Sequence, residues 1–202
     1  MVDLTINTDV ARQILTGFIK SEVGRVGYSH AVINLSGGLD SALSCVLAVE
    51  ALGPENVLAL RLPYRTSSAD SLEHAQLMID QFGMPSETVE ITGMVDPLIQ
   101  SDPDMSNVRK GNIMARMRMI VLYDRSEIFK GLPIGTSNKT EILLGYSTLW
   151  GDMASAINPI GDLYKTQLRQ LARALNIPAV IIDKPPSADL WYTLSLHDAL
   201  PI

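Results

Sequence analysis

The chain is poor in the residues that build disulfides and metal knuckles. Its 202 residues contain one cysteine, Cys45, and three histidines, His30, His74 and His197. A lone cysteine makes no internal disulfide and, lacking a cysteine neighbour, no metal knuckle. Cys45 therefore reads as a small core residue. No two histidines stand at ligand spacing, so surface or core roles are expected for all three. No apolar run is long enough to span a bilayer, and the N-terminus lacks the basic-then-apolar pattern of a signal peptide. A cytoplasmic protein with no membrane partner is expected. Positive charge is not in excess either: 16 Lys and Arg face 22 Asp and Glu, a formal net charge of −6. That balance gives no sequence-wide attraction to nucleic acid. No lysine lies between Lys20 and Lys110. The G-x-x-x-x-G-K-S/T phosphate loop is thereby excluded near the N-terminal glycines, and G-x-G-x-x-G is absent as well.

What is present is an alternation of two periodicities. Val10, Ile14, Phe18, Glu22 and Val26 keep a helical step, behind Thr8 or Asp9 as cap. Strands are expected over Ala31–Leu35, Val57–Leu62, Thr88–Ile91 and Leu132–Gly135. Between them, helices are expected over Ala42–Leu52, along the Leu72-Ala75-Ile79-Phe82 stripe stopped by Gly83, at Met94–Ile99 and over Val108–Arg125. A last helix covers Lys165–Leu175. Short apolar strands separated by amphipathic helices imply an α/β fold: a doubly wound parallel sheet with helices on both faces. Ligands in such sheets bind at the carboxyl ends of the strands. Two polar segments fall there: Leu35-Ser36-Gly37-Gly38-Leu39-Asp40-Ser41 after the first strand, and Thr136-Ser137-Asn138 after the last.

The first of these has two readings. Paired glycines allow the backbone to approach an anion, and the following helix presents unpaired N–H groups. Ser36 and Ser41 add hydroxyls, and Asp40 can hold a divalent cation, which makes the loop a pyrophosphate cradle. Alternatively it is a plain glycine turn in which Asp40 and Ser41 cap the helix.

The loop resembles the S-G-G-x-D-S loop of ATP pyrophosphatases. Further segments run in order: Lys110-Gly111-Asn112-x-x-Ala115-Arg116, Gly135-Thr136-Ser137-Asn138-Lys139-Thr140-Glu141, Leu144-Gly145-Tyr146-Ser147-Thr148, Asn158-Pro159-Ile160-Gly161-Asp162-Leu163-Tyr164-Lys165, and Lys184-Pro185-Pro186-Ser187-Ala188-Asp189-Leu190. Together they are similar to the ammonia-dependent NAD synthetases, up to Trp191.

The resemblance implies an adenine nucleotide alpha hydrolase-like fold and a homodimer. It implies a two-step ligase reaction: deamido-NAD is adenylated by ATP with loss of pyrophosphate, and ammonia then displaces AMP. It places residues 35–41, Thr136, Lys165 and Ser187 on ATP, with Asp40 and Glu141 on Mg2+. Asp40, Glu141 and Lys165 become the catalytic set. Arg116, helped by Asn112, is placed on deamido-NAD, and Arg61 is placed near the adenosine. From the residues alone, Arg109, Asn112 and Arg116 make an exposed basic helix face just as well.

Asn34 departs from the small residue common before the loop. Leu149 replaces a lysine that binds deamido-NAD in some members, so that contact is not carried over. With Met1 so near the first helix, no amidase domain is expected upstream, and free ammonia is the expected nitrogen source. Tyr192–Ile202 resembles the read-through of a sequencing-library adapter. One domain is therefore expected over 1–191, incomplete at its C-terminus, with a non-native tail over 192–202. Two other readings stay open: another ATP pyrophosphatase synthetase, or a non-catalytic nucleotide-binding module.

Overall fold

The computed structural model describes residues 3–185. The expected boundary after Trp191, the tail and Ser187 lie outside those residues. Four parallel strands form one sheet in the order β3-β2-β1-β4: β1 His30–Asn34, β2 Val57–Arg61, β3 Ser86–Thr88 and β4 Gly131–Ile134. In register, Ile33 of β1 lies beside Ala59 of β2 and Ile134 of β4.

Alternation along the strands feeds two cores. Ala31 and Ile33 of β1, with Val57 and Ala59 of β2, face α1 Thr8–Arg25, α2 Leu39–Leu52 and α7 Lys165–Ala174. Ile19, Leu43, Leu47, Leu168 and Leu171 fill that side and are all fully buried. α3 Ala69–Phe82 and the single turn α8 Ala179–Ile182 close its margins with Ala75, Met78 and Ile181. Val32 and Leu60 point to the opposite face. There they meet Val95 of α4 Thr92–Gln100 and Val121 and Leu122 of α5 Asn107–Phe129. Burial on both faces explains the continuous apolar run in β1.

The chain leaves β1 for β2 through α2, and reaches β4 on the other side of β1 through α4 and α5. The strand order therefore reverses between β1 and β4, and a crevice opens at their carboxyl ends. The short helix α6 Lys139–Leu144 starts just beyond β4.

The doubly wound parallel sheet stands as expected, but several details differ. The cap of α1 is Asn7, whose side chain accepts from the Val10 N–H; it is neither Thr8 nor Asp9. The stripe Val10, Ile14, Phe18 and Val26 faces solvent, while Ile19 and Val23 form the buried contact. Helix α2 starts at Leu39, three residues before the expected Ala42, so Asp40 and Ser41 sit in its first turn. β3 spans 86–88 instead of 88–91. After Thr88 the chain still bonds to the β2 side, through Val89 N–H to Arg61 and Ile91 N–H to Pro63, but no longer as a regular ladder.

Candidate active site

Residues 35–41 form the floor of the crevice. Leu35 and Leu39 bury their side chains in the core, at 2% and 6% exposure, and offer the crevice only backbone. Gly38 is the N-cap of α2, and no side chain caps that helix. The reading in which Asp40 and Ser41 cap α2 is thus corrected: no side chain takes up its first N–H groups, which is the arrangement that can receive an anion. Ser41 Oγ instead ties the loop to itself. It accepts from the Ser36 N–H at 3.2 Å, donates to the Gly38 carbonyl at 3.0 Å and lies 3.0 Å from Ser36 Oγ. Gly37 has φ +76°, and a Cβ there would stand 2.1 Å from the Ser71 carbonyl oxygen. Only glycine satisfies both conditions. Ser71 itself accepts from Lys184 Nζ at 3.0 Å.

Three elements converge above this floor. Asp40 comes from α2, Glu141 from the first turn of α6 and Lys165 from the first residue of α7. Lys165 Nζ donates to Asp40 Oδ2 in an ion pair. Asn138 Nδ2 donates to Asp40 Oδ1 at 3.2 Å. Asn138 also caps α6: its Oδ1 accepts from the Glu141 N–H at 3.0 Å, and Glu141 Oε2 accepts from the Asn138 N–H at 3.2 Å. Burial, then the charge of Asp40, push the Glu141 carboxyl up to about 7. The bond from the Asn138 N–H and the nearby Lys165 ammonium act the other way.

A carboxyl whose protonation is raised by burial and by a second carboxylate nearby makes, with that neighbour, a donor set for a hard cation. No group of three or more His, Cys, Asp or Glu able to hold a metal exists among the described residues. Mg2+ is commonly held by one or two carboxylates together with substrate phosphates rather than by a protein cage.

A second cluster lies where α5 meets the loop after α6. Arg116 Nε donates to the Leu149 carbonyl at 3.3 Å. Asn112 is 7% exposed, and its Oδ1 accepts from Thr148 Oγ1 at 2.8 Å. Arg109 pairs with Asp102 at 2.5 Å. The three do not form one exposed basic face: Asn112 is buried, Arg116 is half-buried against the Leu149 carbonyl, and only Arg109 is exposed. Asp152 Oδ1 accepts the Thr148 N–H at 2.7 Å. Burial nevertheless raises its pKa above the usual carboxylate range.

The other expected residues are more dispersed. Thr136 is half-buried in the β4–α6 turn. Arg61 Nη1 donates to Gln76 at 2.5 Å, while its buried Nε has no partner. Asn34 Oδ1, at the end of β1, is likewise buried without a partner. His30 packs edge-on against Phe129, and His74 Nδ1 is buried and unpaired. Cys45 lies in the core against Met84 sulfur, its thiol pushed up to about 12 by burial. Sequence reasoning gave no role to Asn138 or Asp152. The spacing Asn138-x-x-Glu141 carries a capping-box signal that could have drawn attention to Asn138.

A two-carboxylate centre thus stands over an uncapped helix at the sheet's switch point. The NAD synthase family model matches residues 11–202. The chain belongs to the NAD synthase family. An NH3-dependent NAD+ synthetase of Chlorobaculum parvum is 56% identical over 189 residues, 94% of this chain and 68% of that protein. Among solved family structures, the NH3-dependent NAD synthetase of Campylobacter jejuni, in complex with nitrate, superposes with TM-score 0.84 at 39% identity. That match covers 88% of this chain and 77% of that one. The NMN synthetase of Francisella tularensis superposes with TM-score 0.86 at 32% identity, covering 93% of this chain and 78% of that one. Family membership thus rests on both sequence and fold.

Proposed function

We propose that the chain is a ligase that amidates deamido-NAD with ammonia, using ATP and releasing AMP and pyrophosphate. One observation carries the reading: Asp40, Glu141 and Lys165, from three separate elements, meet above the uncapped N-terminus of α2. A carboxylate is a poor acyl donor until it bears a good leaving group, and attack on the α-phosphorus of ATP supplies AMP as that group. Stabilising the departing pyrophosphate is an electrostatic task. The Gly37–Ser41 backbone and the α2 dipole supply oriented positive charge. Lys165 is placed to exchange its Asp40 partner for phosphate oxygens. Magnesium, when bound to Asp40 and Glu141, would neutralise triphosphate charge.

Arg116 and the loop over Thr148–Asp152 form the proposed dinucleotide side of the site, and Thr136 and Ser187 belong to its ATP side. Asn112 acts there by holding Thr148. We place the reaction in the cytoplasm; among the described residues no helix is long and apolar enough to cross a membrane. We also infer a homodimer. Ile120, Tyr123 and Ile128 of α5 are exposed at 53%, 41% and 69% and offer it a surface. Sedimentation at twice the chain mass supports that inference, and the chain mass alone refutes it.

The decisive assay supplies ATP, Mg2+, ammonium and either deamido-NAD or nicotinate mononucleotide, then quantifies amide product, AMP and pyrophosphate. Amidation of deamido-NAD in preference to the mononucleotide is expected. ATP binding without pyrophosphate release would favour a non-catalytic module instead. Release that requires a different acceptor would point to another ATP pyrophosphatase synthetase.

A further inference from the structure

We propose that Asn138 is the positioning residue of the carboxylate pair, holding Asp40 and Glu141 at one shared cation; this rests on the ATP-dependent reading above. Asn138 is fully buried. Its side chain and its own N–H make three hydrogen bonds, all with the two acids, while its carbonyl accepts from the Ile142 N–H at 3.0 Å. Its Nδ2 reaches Asp40, its Oδ1 takes the Glu141 N–H, and its own N–H reaches the Glu141 carboxylate. Asp40 lies 98 residues away on a helix sunk in the core, so its position is fixed. Glu141 stands on a weaker element. α6 has six residues and no buried residue of its own. Its first turn is held by the Asn138 cap and by two bonds to the segment entering α7, from the Lys139 N–H to the Leu163 carbonyl at 2.9 Å and from the Lys165 N–H to Thr140 Oγ1 at 3.2 Å. Of these, only the cap bonds reach Glu141 itself.

The choice of asparagine follows from its donor and acceptor inventory. Ser, Thr, Asp and Asn all cap helices through oxygen. Aspartate has no N–H to give Asp40 and would add a third negative charge. Serine and threonine have shorter side chains. Asparagine alone combines the capping oxygen with a neutral donor at that reach. Neutrality matters, because a second cation beside Lys165 would compete with a metal ion for Asp40.

The test uses the full chain with Asn138→Ser and Asn138→Thr, which keep a capping oxygen. Mn2+ binding is followed by the electron paramagnetic resonance of the free ion, folding by thermal melting, and turnover by AMP release. The variants are expected to melt near the unmodified chain but to bind Mn2+ about tenfold more weakly. The Mg2+ concentration for half-maximal turnover should rise in proportion, with the KM for deamido-NAD unchanged. A folded variant that binds Mn2+ within about twofold of the unmodified chain would overturn the proposal. If neither variant folds, the Asn138 side-chain amide signals of the unmodified chain decide. Shifts that saturate with Mg2+ support the role, and signals indifferent to Mg2+ refute it. Failure of the functional reading is separate: the unmodified chain would bind Mn2+ yet form no amide.

Discussion

Asp40 receives a neutral amide on one oxygen and an ammonium on the other, and neither partner is near it in sequence. Removing the carboxylate leaves Lys165 without its counter-ion and the proposed metal site with one acid. Asp40→Ala should therefore lower pyrophosphate release by about a hundredfold to a thousandfold, a loss typical of electrostatic groups at charge-developing centres. Substrate binding should change far less. Arg116→Ala should show the reverse pattern in steady-state kinetics, with KM for deamido-NAD raised about tenfold or more and kcat nearly kept. Gly37→Ala probes the backbone rather than a charge. The added Cβ meets a carbonyl at 2.1 Å and the φ is +76°. The loop or the start of α3 must then move, costing on the order of 1–3 kcal/mol. A melting curve superimposable on the parent's would refute that account.

At the scale of elements, rigid parts carry the proposed phosphate side and a loop carries the proposed dinucleotide side. Asp152 acts on that loop from within, holding the N–H of the buried Thr148 on its carboxylate. Asp152→Ala would leave that donor unpaired, which costs about 1–3 kcal/mol. The Leu149 carbonyl would then lose its fixed place on Arg116. The expected result is a raised KM for deamido-NAD with ATP affinity kept, read from initial rates against each substrate; equal losses for both would argue against it.

Legibility followed the same division. The glycine turn, the alternating strands and the order of helices could be read because local spacing encodes them. The buried side of α1 could not. Val10, Ile14 and Phe18 keep as good a helical step as the residues that actually pack, and only tertiary contact chooses Ile19 and Val23. β3 has three residues and α8 four, too short to show a period. Motif resemblance assigned Lys165 to phosphate, but its pairing with Asp40 joins residues 125 positions apart and appears only in three dimensions.

For the molecule as a whole, Glu141 couples folding to pH. Its carboxyl is pushed from 4.5 up to about 7 by burial, then by Asp40. The native state thus holds its proton more tightly than the unfolded chain does. The stabilisation from that proton is complete below about pH 4.5 and is lost as pH rises through about 7. The full swing is at most about 3 kcal/mol. Asp152, raised in the same direction by burial, adds to the slope. Glu141→Gln keeps the size of the side chain and removes the titration. The stability of the parent relative to this variant should fall steadily between pH 4.5 and 7, measured by urea unfolding without divalent ions. Adding Mg2+ with ATP should reverse the trend for the parent alone, because a bound cation favours the ionised acid. Parallel curves for the two proteins across this range would mean that Glu141 titrates as an ordinary surface carboxylate, and the close facing of the two acids would have to be abandoned.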